Sequence, residues 1–378
     1  MATNKEQNKL NVPHLRFPEF HGEWEKCKLG DIATLTKGSG ISKDQRSATG
    51  TPCILYGELY TTYKSEVINY VVSKTDISDK NLVRSCANDI IIPSSGETAI
   101  DISTARCVLS PDVLLGGDLN IIRLKDGDGR FFSYQLNGVR KYDIAKIAQG
   151  VSVVHLYGES IKGLTVSFPS NKEQQKISTL LSLIDERIAT QSKLIEMLES
   201  LIKGIAHKVS KQGKPNTRLS ECLQCASSTL QESDVAEVGL YPVYGANGIV
   251  GYLDTYNTTS EAIYIIKDGS GVGTVSYVNG KCSATGTLNI LQTNDGFSLR
   301  YLYFMLKVFG FEPYKTGMAI PHIYFKDYGK AKIYCPNYEL QNKCANLLYE
   351  IEQKATIEQK ILNNLCSQKQ YLLRQMFI

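Results

Sequence analysis

The run from Gly150 to Tyr157, GVSVVHLY, returns as GMAIPHIY from Gly317 to Tyr324, every residue 167 positions downstream of its counterpart. The same offset carries Pro169 onto Pro336, Gln174 onto Gln341, Leu181 onto Leu348, Ile184 onto Ile351 and Leu198 onto Leu365. An offset held over about fifty residues without a gap marks a tandem duplication. The chain is therefore expected to fold as two related bodies.

Each copy closes on a heptad stripe. In the first, Ile177, Leu181, Ile184, Ile188, Gln191, Ile195, Leu198, Ile202 and Ile205 alternate spacings of four and three, the seam along which two helices supercoil. The second reads Cys344, Leu348, Ile351, Ala355, Glu358, Leu362, Leu365, Lys369 and Leu372, a weaker seam with Glu358 at the place of Gln191. Pro169 and Pro336 stand just ahead, where proline ends a strand and precedes a helix. The spacing predicts helices over 171–208 and 337–378, each roughly 35 residues and about 50 Å long, paired with one another. Leu180, Leu183, Leu194 and Leu201 flank the first seam and offer apolar surface to a further partner. A helical hairpin buried inside one globule is the plainer alternative.

Ahead of each helix lies a block with strand signals. TPCILYG (51–57), DIIIP (89–93) and GDLNIIRL (117–124) occupy the first; YPVYG (241–245), AIYII (262–266) and GTLNIL (286–291) occupy the second. Arg218-Leu219 echoes Lys28-Leu29, and the polar stretch Ser210–Asn216 reads as a linker. The expected organisation is an N-terminal segment (1–19), a first head (20–170), a central helix (171–208), a second head (209–336) and a C-terminal helix (337–378). In fold class this is α+β: two β-rich α/β heads, separated and joined by two long antiparallel coiled-coil helices, in a pseudo-twofold tandem repeat.

Composition narrows the function classes. Lys and Arg number 42 against 38 Asp and Glu, a net charge of +4 that permits nucleic acid without demanding it. No apolar run approaches the roughly 18 residues of a membrane helix, and Met1–Lys9 has no apolar core of an export signal. Ten cysteines without such a signal fit reduced thiols and a cytoplasmic protein. The 22 tyrosines suit contact surfaces, since each offers stacking area and a polar tip.

Catalytic signals are missing. None of the eleven prolines adjoins another, which excludes the Pro-Pro-aromatic loop that grips a flipped adenine. Gly269, Gly271 and Gly273 lack dinucleotide-loop spacing, and no Walker A motif occurs. Pro111-Asp112 has no downstream acid-x-Lys partner, and Cys222-x-x-Cys225 is half a zinc site without a second half. His155 and His322, the histidines in equivalent positions, are better suited to a phosphate or a carbonyl than to paired catalysis in unlike blocks. The expectation is no catalytic residue and no metal in this chain.

Unlike heads on like helices resemble the specificity subunit of type I restriction-modification systems. The carriers are WEKCKLGDI (24–32), the two Gly-x-x-x-x-His loops, the helix entry FPSNKEQQKI (168–177) and YPVYGANG (241–248). The second entry departs, reading CPNYELQ (335–341), and Val154 stands where Pro321 does. The resemblance implies a DNA-reading subunit without catalysis of its own, each head reading one half of a split target. It implies helices that fix the spacer and dock methylation subunits, two by expectation, and restriction subunits through them. S-adenosylmethionine, ATP and Mg2+ would then be bound by those partners. A rigid 50 Å helix matches roughly 15 base pairs of DNA.

Phosphate contacts call for Lys, Arg, Ser and Thr; base edges call for polar and aromatic side chains. In the first head the candidates are Lys37, Ser39, Lys43 and Arg46, then Tyr56, Glu58, Tyr60, Thr61 and Tyr63, then Ser94, Ser95, Glu97, Thr98 and Arg106, with Ser152 and His155 in the repeated loop. In the second they are Tyr244, Asn247, Lys267, Ser270, Lys281, Lys315 and His322. The helix and subunit interface is assigned to the seam together with Leu194 and Leu201. Two other classes remain: a coiled-coil adaptor whose heads bind protein or glycan, and a stand-alone methyltransferase or nuclease.

Overall fold

Strands Asp89–Pro93 and Ala262–Ile266 are buried at every position because the sheets they belong to are covered on both faces. Successive side chains of a strand point to opposite sides. Ile90 and Ile92 thus enter one cluster and Ile91 another; Ile263 and Ile265 part in the same way from Tyr264. The computed structural model describes residues 10–78 and 81–378; the stretch Met1–Lys9, read above for export signals, lies outside them. The chain forms two compact units, one of residues up to Thr190 together with Ile361–Ile378, the other Gln191–Lys360.

In the first unit the sheet order is Ala33–Lys37, Leu119–Leu124, Asp89–Pro93, Arg106–Val108 and Val67–Ile68. In the second it is Leu223–Ser227, Leu288–Thr293, Ala262–Ile266 and Val275–Val278, the same order without the last strand. One face of each sheet is packed by a nine-residue helix, Gly129–Asn137 or Leu299–Lys307. Gly269 and Gly273 adopt φ of +94° and +91° in the turn between two sheet strands of the second unit. That is a turn's use of glycine.

The long helices span Asn171–Ser210 and Tyr338–Gln375, 40 and 38 residues, about 60 Å each at 1.5 Å per residue. Each entry is fastened by a duplicated glutamine. Gln174 donates to Pro169 O at 2.8 Å and accepts from Asp128 N at 3.0 Å; Gln341 donates to Pro336 O at 2.8 Å and accepts from Ser298 N at 2.9 Å. Both tie the long helix to the start of the helix that packs on the sheet.

The heptad residues are buried or half-buried without exception, whereas the flanking Leu183 and Leu201 are exposed. In the first unit Ile177 and Leu181 are fully buried, with Ile184, Ile188, Leu362 and Leu365 half-buried. In the second, Ile195, Ile202, Leu348 and Ala355 are buried, while Leu194, Leu198 and Ile351 are half-buried. The Gln191 amide donates to the carbonyl of Glu358 at 3.2 Å and to its carboxylate, so the polar seam position meets its own duplicate. A polar pair at one seam level fixes the register of two helices.

The weaker second seam gains a charge match, and one sequence expectation needs amending. The ammonium of Lys369 lies 2.6 Å from Asp185 and also bonds Glu66, so the seam is balanced at that position. The second long helix stops at Gln375. Met376 and Phe377 leave it to bury in the first unit's core, with the Phe377 ring 5.1 Å from Phe131 and 6.5 Å from Trp24.

Candidate nucleic-acid interface

In the first unit the strand Ala33–Lys37 runs into a 3-10 turn, Lys43–Gln45, closed by reciprocal bonds between Ser42 and Gln45. This turn, the segment Leu55–Thr62 and Gly117-Asp118 enclose an open cleft of about 970 Å³. Lys43, Arg46, Tyr56, Tyr60 and Thr61 line it and are exposed. Five residues from two separated sequence candidates thus share one surface, a mix of cations and amphipathic rings suited to phosphates and base edges.

Other candidates are engaged within the fold. The Glu58 carboxylate accepts from Leu55 N at 2.9 Å and from Ser73 Oγ, with Arg46 at 3.6 Å. Arg106 is 8% exposed and donates to Tyr63 O and Ala105 O; burial pulls its pKa below the usual guanidinium value. Tyr63 accepts from Val72 N at 3.2 Å, and burial pushes its phenol up. Ser39 accepts from Val83 N at 2.7 Å, and Ser94 N donates to Asp118 O at 2.7 Å. Thr98 caps the turn Ala99–Ile102 by accepting from Asp101 N, while Glu97 is exposed beside it. Lys37 is exposed at its strand end.

The duplicated loops keep one geometry in both units. Gly150 and Gly317 hold φ of +118° and +86°, where a Cβ would fall 2.2 or 2.3 Å from a backbone oxygen of the same loop. Gln149 and His155 exchange backbone hydrogen bonds, as do Thr316 and His322. The rings of His155 and Tyr157 lie 6.3 Å apart, those of His322 and Tyr324 also 6.3 Å, and both tyrosines are 47% exposed. Opposite His155 sits Ser95, and opposite His322 sits Asp268, whose carboxylate is 3.1 Å from Nδ1. Ser152 is exposed at the first loop's tip.

In the second unit a hairpin, Tyr241–Gly245 with Gly248–Leu253, places Asn247 exposed in its turn. Tyr244 is half-buried against Tyr264, and burial raises its phenol. Lys281 lies over the rings of Tyr256 at 4.9 Å and Tyr241 at 5.9 Å. Lys267 is half-buried between Thr287 and Ile323 backbones, Ser270 is exposed, and Lys315 pairs with Glu312. Cys222 lies 3.8 Å from Cys335, not beside Cys225 in a metal set, and no three-residue metal group occurs among the described residues.

Sequence reasoning found the duplicated pair Gln174 and Gln341 but not its fastening role, and it missed a Tyr–carboxylate bridge in each unit, Tyr134 to Asp185 and Tyr303 to Glu352. Both had a readable signal, since Gln174 and Asp185 map onto Gln341 and Glu352 by the same offset of 167.

Comparison with known proteins is consistent with this architecture. The model of the type I restriction modification DNA specificity domain matches residues 21–200 and again 218–366. A curated relative from Mycoplasma genitalium, named a type I specificity subunit, is 25% identical over 94% of both chains. A type I restriction enzyme specificity subunit of Methanocaldococcus jannaschii is 26% identical over 56% of this chain and 47% of its own. Among solved structures, the S subunit of a type I restriction-modification system from M. genitalium superposes with a TM-score of 0.72 at 22% identity, covering 97% of this chain and 99% of that one. The chain belongs to the family of type I restriction-modification specificity proteins, and its part in such a system is sequence-specific DNA recognition, not catalysis.

Proposed function

We propose that each unit reads one half of a bipartite, asymmetric double-stranded DNA target. The observation that carries this reading is the pairing of one sheet order and one set of helix fasteners with different surface loops. The exposed Lys37, Lys43, Arg46, Tyr56, Tyr60, Thr61, Glu97, Ser152 and His155 face DNA in the first unit; Asn247, Ser270, Lys281 and His322 do so in the second. Ser39, Glu58, Tyr63, Ser94, Thr98 and Arg106 hold those loops in place. The long helices, which run through both units in sequence, set the unread spacer.

DNA and the methylation and restriction subunits are the partners that family membership implies. Two methylation subunits dock, in this reading, on apolar side chains that the helices leave exposed, among them Leu183, Met197, Leu201 and Ile357. S-adenosylmethionine, ATP and Mg2+ reside on those partners, and the assembly works in the cytoplasm. No described helix is long and apolar enough to cross a membrane. The test exchanges residues 214–336 for another head and maps methylated sequences in a host carrying the complex. One half-site should change while the other stays. Change in both halves would sink independent reading.

A further inference from the structure

The two units place opposite charge on one and the same turn. Each runs from a short helix (Leu29–Ile32 or Leu219–Cys222) through an edge strand into a 3-10 turn, Lys43–Gln45 or Glu232–Asp234. Both turns are closed by reciprocal bonds three residues apart, Ser42 with Gln45 and Gln231 with Asp234. Both lead into a strand that pairs in parallel with a two-residue strand, Leu114-Leu115 or Ser283-Ala284. The backbone is duplicated, yet Lys43 and Arg46 are replaced by Glu232 and Val235. In the first unit the cations line the cleft described above.

Glu232 is exposed, and its carboxylate makes no hydrogen bond or ion pair among the described residues. A Cβ built on Gly245 would lie 2.8 Å from Glu232 Oε1, which sets the carboxylate against the hairpin just before its Ala246-Asn247 turn. Gly248, at φ +105°, closes that turn, and Asn247 also stands exposed there, without a hydrogen-bond partner for its side chain among the described residues. A two-stranded ribbon of this kind fits the DNA major groove. Phosphates repel a carboxylate, which donates nothing and only accepts. The groups on DNA that donate in the major groove are the amino groups of cytosine and adenine, and Asn pairs with adenine.

We propose that the hairpin Tyr241–Leu253 enters the major groove turn first, and that Glu232 selects a base amino group in the second half-site beside a base read by Asn247. The first unit selects with donors at the same turn, Lys43 and Arg46, whose natural partner is guanine. The proposal rests on the bipartite reading above and assigns the specificity of its second half.

The experiment co-expresses the full chain with its cognate methylation subunits and profiles methylated sites for wild type, Glu232→Gln, Asn247→Ala and Lys43→Gln. Glu232→Gln should relax one position of the second half-site by roughly tenfold while the first half-site and spacer stay fixed. Asn247→Ala should relax a neighbouring position, and Lys43→Gln only the first half-site. Competition with duplexes changed at single bases gives the same ranking in direct binding. An unchanged second half-site in Glu232→Gln, or a uniform fall at all sites, would overturn the assignment. A wild-type profile without two separable halves would instead reject the bipartite reading beneath it.

Discussion

Tyr134 of the first unit donates to Asp185 at 2.8 Å, and Tyr303 of the second donates to Glu352 at 2.7 Å. In both, a helix on the sheet is tied to a long helix by a phenol and a carboxylate. The balancing cation differs. In the second unit it is Lys307, one turn along from Tyr303, which reaches Glu352 at 2.8 Å and stays partly open to solvent. In the first it is Lys369 of the second long helix, 13% exposed, held between Asp185 and Glu66, with Ser65 adding a bond to Asp185 at 2.9 Å. Duplication kept the bridge and left the counter-charge free to come from elsewhere. The second unit solves the problem within one helix; the first needs three separate parts of the chain.

Lys369→Met should expose that difference most. It strands two buried carboxylates and should cost the first unit about 3 kcal/mol, whereas Lys307→Met should cost the second less than about 1 kcal/mol. Denaturant unfolding of the two variants at neutral pH measures both. Equal losses would mean that the two junctions are equivalent after all.

The phenols come next. Tyr303→Phe removes one of two partners of Glu352 and should cost about 1.5 kcal/mol; Tyr134→Phe should cost less, because Asp185 keeps Lys369 and Ser65. A larger loss for Tyr134→Phe would place the weight of the first junction on the phenol.

Alkali gives the smallest contrast. Burial lowers the Lys369 pKa, but Glu66 and Asp185 outweigh it and raise the folded value above the ordinary 10.5. Its contribution is therefore complete below that value and is lost as pH rises through the raised one. Unfolding the wild type and Lys369→Met between pH 9.5 and roughly 11.5 should show the gap between them narrowing with pH. A constant gap would show that Lys369 keeps no charge-dependent role.

How much of this was legible depends on what duplication preserved. Residues under joint constraint from both long helices kept their spacing, so the seam, Gln191 with Glu358 and the histidine loops were readable from one offset. Within the heads the register drifts. Leu29 maps onto Leu219, 190 residues on, but Leu119 onto Leu288, 169 on. Insertions between Ile54 and Asp89 break the offset, so the equivalence of Lys43 with Glu232 was hidden although their backbones match. Lys369 was unreadable for another reason: its two partners, Glu66 and Asp185, lie on other elements, and a heptad count registers only polarity. The candidate interface was legible as a composition of loops. Which members face outward was decided by bonds such as those of Glu58 and Arg106, which no spacing rule announces.

The burial of Met376 and Phe377 beside Trp24 bears on the order in which the molecule is made. A ribosome releases Trp24 and Phe131 long before Phe377, and domains generally fold as units during synthesis. Every residue of the second unit, Gln191–Lys360, is translated before the helix Tyr338–Gln375 ends. The first head, though synthesised first, is thus the last to close its aromatic cluster. During that interval Trp24 and Phe131 lack their final neighbour, and a released chain truncated before residue 376 would carry every residue of the second unit and lack part of the first unit's core.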